Sequence, residues 1–101
     1  MDLTTFGVFT VPHLVADDDF GEAGALAEEL GYGALWRGGS PNPARLAPAL
    51  AATTRLIAAT GIVNVWATPA DVAAAEFTQL REQFGDRVLL GVGIGHRENT
   101  A

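Results

Sequence analysis

The 101-residue sequence contains no cysteine and no lysine, because all six of its basic residues are arginine. The absence of cysteine excludes disulfides, thiol nucleophiles and cysteine-ligated zinc or iron–sulfur sites. The absence of lysine excludes Schiff-base chemistry and the phosphate loop of Walker-type nucleotide enzymes. The two histidines and the scattered acids show no metal-ligand spacing, so we expect no metal site.

Basic charge is also scarce, since twelve acidic residues face six arginines and give a formal net charge of -6. Such a chain lacks the attraction that draws proteins to nucleic acids or to anionic membranes. Residues 1–5 carry an acid where a signal peptide has basic residues, and the apolar stretch 6–14 is too short to span a bilayer. We therefore expect a cytoplasmic protein whose partner is a small-molecule substrate.

Four short apolar segments alternate with three segments of helical periodicity. The apolar segments predict strands near 6–11, 34–36, 56–66 and 88–93, with a break in the third at Gly61. The second helix is predicted near 44–54. The first and third helices are predicted to bury the following apolar positions: Ala23, Leu26, Ala27 and Leu30 in the first, and Ala73, Phe77, Leu80 and Phe84 in the third.

Local signals mark the ends of these helices. Gly31 and Gly85 stand where a glycine ends a helix. Thr68 is predicted to cap the third helix, with Pro69 as its first residue and Asp71 as its third.

The order β-α-β-α-β-α-β indicates parallel strands joined by right-handed crossovers. Two architectures use this unit. A doubly wound sheet closes within this length, whereas an eight-stranded (β/α)₈ barrel needs at least ~200 residues, of which this chain would supply about half. Both place their ligands at the carboxyl ends of the strands.

Residues that can carry chemistry follow the predicted strand ends. They are Thr10 and His13, Arg37, Asn64, and His96 with Asn99. For the histidines, Arg37 and Asn64, a purely structural interpretation also stays open. The histidines equally fit solvated loops, Arg37 equally fits an ion pair with an acid, and Asn64 equally fits a hydrogen-bonded residue at a sheet end. The glycine-rich stretch 91–95 does not match G-x-G-x-x-G, and predicts close approach of either a packed side chain or a flat ring.

Three segments carry a more specific resemblance, namely Glu28–Trp36, Thr60–Ala67 and Arg87–His96. In this order and spacing, the chain resembles the luciferase-like monooxygenase superfamily, in the branch that uses the deazaflavin coenzyme F420. The resemblance implies an α/β fold in which residues 1–101 form a single domain, the amino-terminal half of a (β/α)₈ barrel with strands in the order 1-2-3-4. It implies an oxidoreductase that transfers hydride with F420, or alternatively with FMN.

The resemblance also implies roles for individual residues. A cis peptide between Gly61 and Ile62 would lie against the cofactor ring, together with Asn64, Gly93, Gly95 and Asn99. His96 would be the catalytic proton donor or acceptor, and His13 and Arg37 would contact substrate. The Asp-His pair that several F420 enzymes carry after the second strand is replaced here by Gly38 and Gly39.

Two alternatives remain beside this interpretation. One is a doubly wound binding module, and the other is a non-enzymatic half-barrel that self-associates. In a half-barrel we expect the isolated chain to be inactive, with the missing half or a second copy as its partner. The apolar residues expected on the uncovered inner face are Val8, Leu35, Val63 and Leu90.

Overall fold

The computed structural model describes residues 7–10, 15–39 and 42–93. Helices and strands alternate along this part of the chain. The strands are β1 (Gly7–Thr10), β2 (Ala34–Arg37), β3 (Ile57–Thr60), β4 (Val63–Asn64), β5 (Val88–Leu89) and β6 (Val92–Gly93). The α-helices are α1 (Phe20–Glu29), α2 (Ala47–Ala51) and α3 (Ala70–Phe84), with short 3-10 helices at Asp17–Asp19 and Pro43–Leu46.

All strand pairs are parallel, and the main sheet has the order β1-β2-β3-β5. The strands β4 and β6 form a second, two-stranded parallel sheet. This order confirms the predicted α/β fold with strands in sequence order, and it excludes the doubly wound alternative. None of the helices in the described part of the chain has the length and hydropathy that crossing a bilayer requires.

The third and fourth predicted strands are each divided in two. The third is interrupted at Gly61 and Ile62, and the peptide between these residues is cis, as the resemblance implied. The fourth was predicted to run without a break over 88–93, and this is wrong. The fourth strand is interrupted at Leu90 and Gly91, because the third strand beside it is interrupted at the same level, at Gly61 and Ile62.

The helices cover one face of the main sheet. In register across adjacent strands, Leu35, Ala58 and Val88 share a core with buried residues of the helical segments. Leu35 and Val63 are each 1% exposed. Our expectation that Leu35 lies on an uncovered face is therefore wrong, since side chains alternate between the two faces of a strand and Leu35 points toward the helices. Val8, in register with Leu35, packs against the same core, and Val63 is buried as well.

The buried stripe of α1 differs from the predicted one. Phe20, Gly24 and Ala27 are buried, whereas Leu26 and Leu30 are 55% and 66% exposed. The stripe is rotated because a glycine at position 24 lets α1 approach α2 more closely than a larger residue would. A Cβ atom at Gly24 would lie only 2.9 Å from the Cβ of Ala49.

The other helix predictions are confirmed in part. Gly31 has a φ of 93° and donates to Glu28, and Tyr32 donates to Ala27, which forms the expected glycine-terminated end of α1. The second helix is shorter than predicted, since only Ala47–Ala51 is α-helical. The predicted cap at Thr68 is wrong, because α3 begins at Ala70 and no side chain caps it.

Glu28 joins the end of α1 to the segment that leads into β3. Its carboxylate accepts backbone N–H groups of Thr54, Arg55 and Leu56 at 3.1, 2.7 and 2.7 Å. Burial by itself raises the pKa of Glu28, but these donors and the Thr54 hydroxyl outweigh it and lower the pKa to about 2. The ionised carboxylate therefore stabilises the folded chain.

Replacing Glu28 by glutamine is expected to lower the melting temperature at neutral pH. The folded pKa of about 2 lies below the ordinary value of 4.5. The stabilisation is therefore complete above pH ~4.5 and is lost as the pH falls from ~4.5 toward ~2. Thermal melts across this window should show the gap between wild type and Glu28→Gln closing. Glu82→Gln, at an exposed position on α3, serves as the control, and a gap that stays constant to pH ~2 would contradict the assignment.

Replacing Gly24 by alanine is expected to destabilise the protein by about 1–3 kcal/mol, because the new methyl group would press on Ala49. Helix propensity alone predicts the opposite, a gain of ~1 kcal/mol. Urea denaturation of Gly24→Ala distinguishes the two, and the double variant Gly24→Ala/Ala49→Gly should recover part of the loss. A single variant more stable than wild type would show that the helices do not meet at this glycine.

Candidate functional site

The face of the sheet that points away from the helices carries a row of uncharged side chains. Phe9, Trp36, Ala59 and Leu89 are in register across the four strands of the main sheet. Phe9 is 61% exposed. A Cβ atom at Gly61 would lie 3.1 Å from Cε2 of Phe9 and 3.7 Å from Cε3 of Trp36. The two aromatic rings therefore border the point where the third strand is interrupted.

Thr60 links the two sheets at this interruption. Its hydroxyl accepts the backbone N–H of Gly91 at 2.9 Å and donates to the backbone carbonyl of Gly91, also at 2.9 Å. The backbone pairing resumes beyond it, where Val63 donates to Gly91 at 2.7 Å and Val65 donates to Gly93 at 3.2 Å. Thr60 is fully buried. A single hydroxyl thus supplies the acceptor for the Gly91 N–H and a second donor, beside the N–H of Val63, for the Gly91 carbonyl.

Gly91 and Gly93 are glycines because other atoms occupy the space of a side chain. A Cβ atom at Gly91 would lie 2.3 Å from the carbonyl oxygen of Thr60. A Cβ atom at Gly93 would lie 2.0 Å from Cδ1 of Ile62. The sequence left open whether a packed side chain or a flat ring approaches the stretch 91–95. At Gly93 the structure shows a packed side chain, that of Ile62. Ile62 itself remains 37% exposed.

Asn64 is 3% exposed and organises the turn after β4. Its Oδ1 accepts the backbone N–H of Trp66 at 2.8 Å. Its backbone carbonyl accepts the N–H groups of Ala67 and Thr68 at 3.0 and 2.9 Å. These bonds match the simpler interpretation of Asn64 as a hydrogen-bonded residue at a sheet end, beside Gly93 in the two-stranded sheet.

Arg37 lies at the end of β2 but is buried in the helix-facing layer. Its guanidinium donates to the carbonyl of Val15 at 2.7 Å and lies 5.1 Å from the centre of the Phe20 ring. The side chain has no exposed surface. In this arrangement Arg37 ties the segment before α1 to the sheet, and it is not presented to a ligand on the opposite face.

Five of the nine predicted site residues are described. Gly61, Ile62 and Gly93 lie together, Asn64 lies next to them, and Arg37 points to the other layer. The other four lie outside the described residues: His13, Gly95, His96 and Asn99. Gly38 and Gly39 follow β2, and Gly39 has a φ of 79°.

Sequence reasoning missed three residues that shape this region, namely Phe9, Trp36 and Thr60. Phe9 and Trp36 both lie in strands that the sequence predicts. That the two rings share a face of the sheet depends on the strand register, which the structure provides. A polar residue immediately before Gly61 in an otherwise apolar strand was the signal for Thr60. Its partner Gly91 is 31 residues away, so its role required the tertiary structure.

Replacing Thr60 by valine, which has nearly the same shape, is expected to leave the backbone N–H of Gly91 without its acceptor, while the Gly91 carbonyl keeps the N–H of Val63. The cost should be about 1–3 kcal/mol in the free energy of unfolding. Thr60→Ser keeps the hydroxyl and should lose only ~1 kcal/mol for one buried methyl group. Chemical denaturation measures the difference, and amide hydrogen exchange at Gly91 should accelerate in Thr60→Val only. Equal effects of the two substitutions would rule out the hydroxyl as the link.

We compared the sequence with curated proteins and with models of protein families. No curated protein matches the chain. The sequence model that describes the luciferase-like monooxygenase family matches residues 4–101. This range is nearly the whole sequence and includes every described strand and helix. The chain therefore belongs to the luciferase-like monooxygenase family.

Proposed function

We propose that this chain contributes the ring-binding strands of an oxidoreductase that transfers hydride with coenzyme F420, with FMN as the alternative. Members of the family typically use flavin or F420 cofactors. In this proposal residues 1–101 form the first half of a (β/α)₈ barrel, and the chain by itself is inactive. Strands in the order β1-β2-β3-β5 with helices on one face support the barrel assignment.

The observation that carries the proposal is an uncharged, partly exposed surface beside the interrupted strands. Phe9 is 61% and Ile62 37% exposed, and Gly61 lies between them in a position where Phe9 approaches the backbone. Aromatic and aliphatic surfaces of this kind suit one face of a flat ring system. The residues present therefore fit the ring of a flavin or deazaflavin.

The cofactor, when bound, supplies the hydride chemistry, and the protein supplies binding, orientation and exclusion of water. Phe9 and Ile62 would contact the ring. Thr60 would hold the strand 91–93 at its distance from Ile62 through the two bonds to Gly91. Asn64 would fix the turn that borders the ring.

Proton transfer falls in this proposal to a residue outside the described ranges. We propose His96 as the proton donor or acceptor, because imidazole titrates near neutral pH. Asn99 and Gly95 would complete the ring contacts and His13 would contact substrate. The predicted substrate contact of Arg37 is not part of this proposal, since its guanidinium donates to Val15 and lies on the Phe20 ring in the helix-facing layer.

Fluorescence titration of the purified chain with F420 and with FMN tests the proposal. We expect saturable binding of one of them, and Phe9→Ala should weaken it about 2- to 10-fold, which corresponds to ~0.5–1.5 kcal/mol of aromatic contact. Val72→Ala is the matched control, because Val72 is also exposed but lies on α3. Absence of binding of both compounds at millimolar concentration, or equal effects of the two substitutions, would contradict the proposal.

A further inference from the structure

The turn between α2 and β3 directs consecutive backbone N–H groups at a single carboxylate. The donors belong to Thr54, Arg55 and Leu56. They reach the carboxylate of Glu28 at 3.1, 2.7 and 2.7 Å, respectively, and the Thr54 hydroxyl adds a further donor at 3.3 Å. Successive N–H groups that converge in this way form a nest that binds anions. The segment 54–56 is called the α2–β3 nest below.

Backbone dipoles, and not a basic side chain, hold the charge of this carboxylate. In the part of the chain that the structure describes, the partners of Glu28 are the three N–H groups and one hydroxyl. Burial raises the pKa of Glu28, yet these donors lower it to about 2. Donors that keep a carboxylate ionised without a neighbouring cation favour the anion over its neutral form.

Contacts on the other side of the nest fix its backbone independently of the carboxylate. Arg87 donates to the carbonyls of Leu50 and Leu56 at 3.2 and 3.0 Å. The hydroxyl of Thr53 donates to the carbonyl of Ala49 at 2.8 Å, which anchors the residue before the nest to α2. The fold itself therefore directs the N–H groups, and a site whose donors are already in place binds its ligand without the cost of ordering them.

The covalent structure of Glu28 gives the size of the ligand. Beyond its Cβ atom, a glutamate side chain consists of a methylene group and a carboxylate, which together have the skeleton of acetate. Truncation to alanine therefore leaves a space of the size of acetate beside the same donors. Alanine is also the best helix former, so this truncation keeps α1 intact.

We propose that the α2–β3 nest is a preformed carboxylate-binding site, which the side chain of Glu28 fills as an internal ligand and which binds acetate when that side chain is removed. Every donor and every contact that frames the nest belongs to the described residues, so the site does not depend on what covers the exposed edges of the sheet. The nest precedes β3 and Gly61 follows it, so the site lies at the opposite end of this strand from the surface assigned to the cofactor ring. The proposal is independent of the cofactor assignment.

Chemical rescue of Glu28→Ala by acetate tests the proposal. At neutral pH this variant should melt at a lower temperature than wild type. Sodium acetate should raise its melting temperature along a saturation curve, by about 5–10 °C at ten times the dissociation constant of acetate. Sodium chloride at the same ionic strength and neutral acetamide should have no such effect. Where the variant is unfolded at room temperature, recovery of the helical circular dichroism signal on adding acetate is the equivalent result.

A matched variant and a residue-level measurement locate the effect. Glu29→Ala removes the same group from the next, exposed position of α1, and neither it nor wild type should respond to acetate in a saturable way. In NMR spectra of Glu28→Ala, the amide signals of Thr54, Arg55 and Leu56 should shift with acetate along one common binding curve. No saturable response of Glu28→Ala, or an equal response of Glu29→Ala, would show that the nest exists only around its own side chain and would overturn the proposal.

Discussion

The two hydrogen bonds between the Thr60 hydroxyl and Gly91 hold the main sheet and the two-stranded sheet in one structure. Both strands are interrupted at this level, and the N–H of Gly91 donates to the Thr60 hydroxyl instead of to a backbone carbonyl of the neighbouring strand. A buried polar backbone group without a partner costs free energy, and the same hydroxyl also donates to the Gly91 carbonyl, beside the N–H of Val63. Beyond this link the pairing of β4 with β6 resumes, and there lie the turn at Asn64 and the contact of Ile62 with Gly93.

Small residues set the distances between the layers. Gly24 brings α1 against Ala49 of α2, and Gly91 brings the fourth strand against the carbonyl of Thr60. In both places a side chain would occupy space that a neighbouring atom already fills. Close packing of this kind fixes which stripe of α1 is buried, and it leaves Leu26 and Leu30 on the outside.

Polar side chains connect elements that are distant in sequence. Glu28 holds the segment 54–56 against the end of α1. Glu76 of α3 does the same for the 3-10 helix at Pro43–Leu46, since its carboxylate accepts from Asn42 and Ala44 at 2.8 Å each. Arg87 donates to the carbonyls of Leu50 and Leu56. The sequence shows these residues as ordinary surface charges, because their partners are 26 to 37 residues away.

Local patterns in the sequence determined the alternation of strands and helices, the glycine-terminated end of α1 and the interruption at Gly61, because each depends on residues within one turn or one strand. The family could also be predicted, from three segments of which one contains Gly61, Ile62 and Asn64. The tertiary structure decided which stripe of α1 is buried, which way Arg37 points, and how Phe9 and Trp36 meet beside Gly61. These outcomes depend on strand register and on close contacts between helices. Both bring together residues that are far apart in the chain, so the local periodicity of the sequence does not predict them.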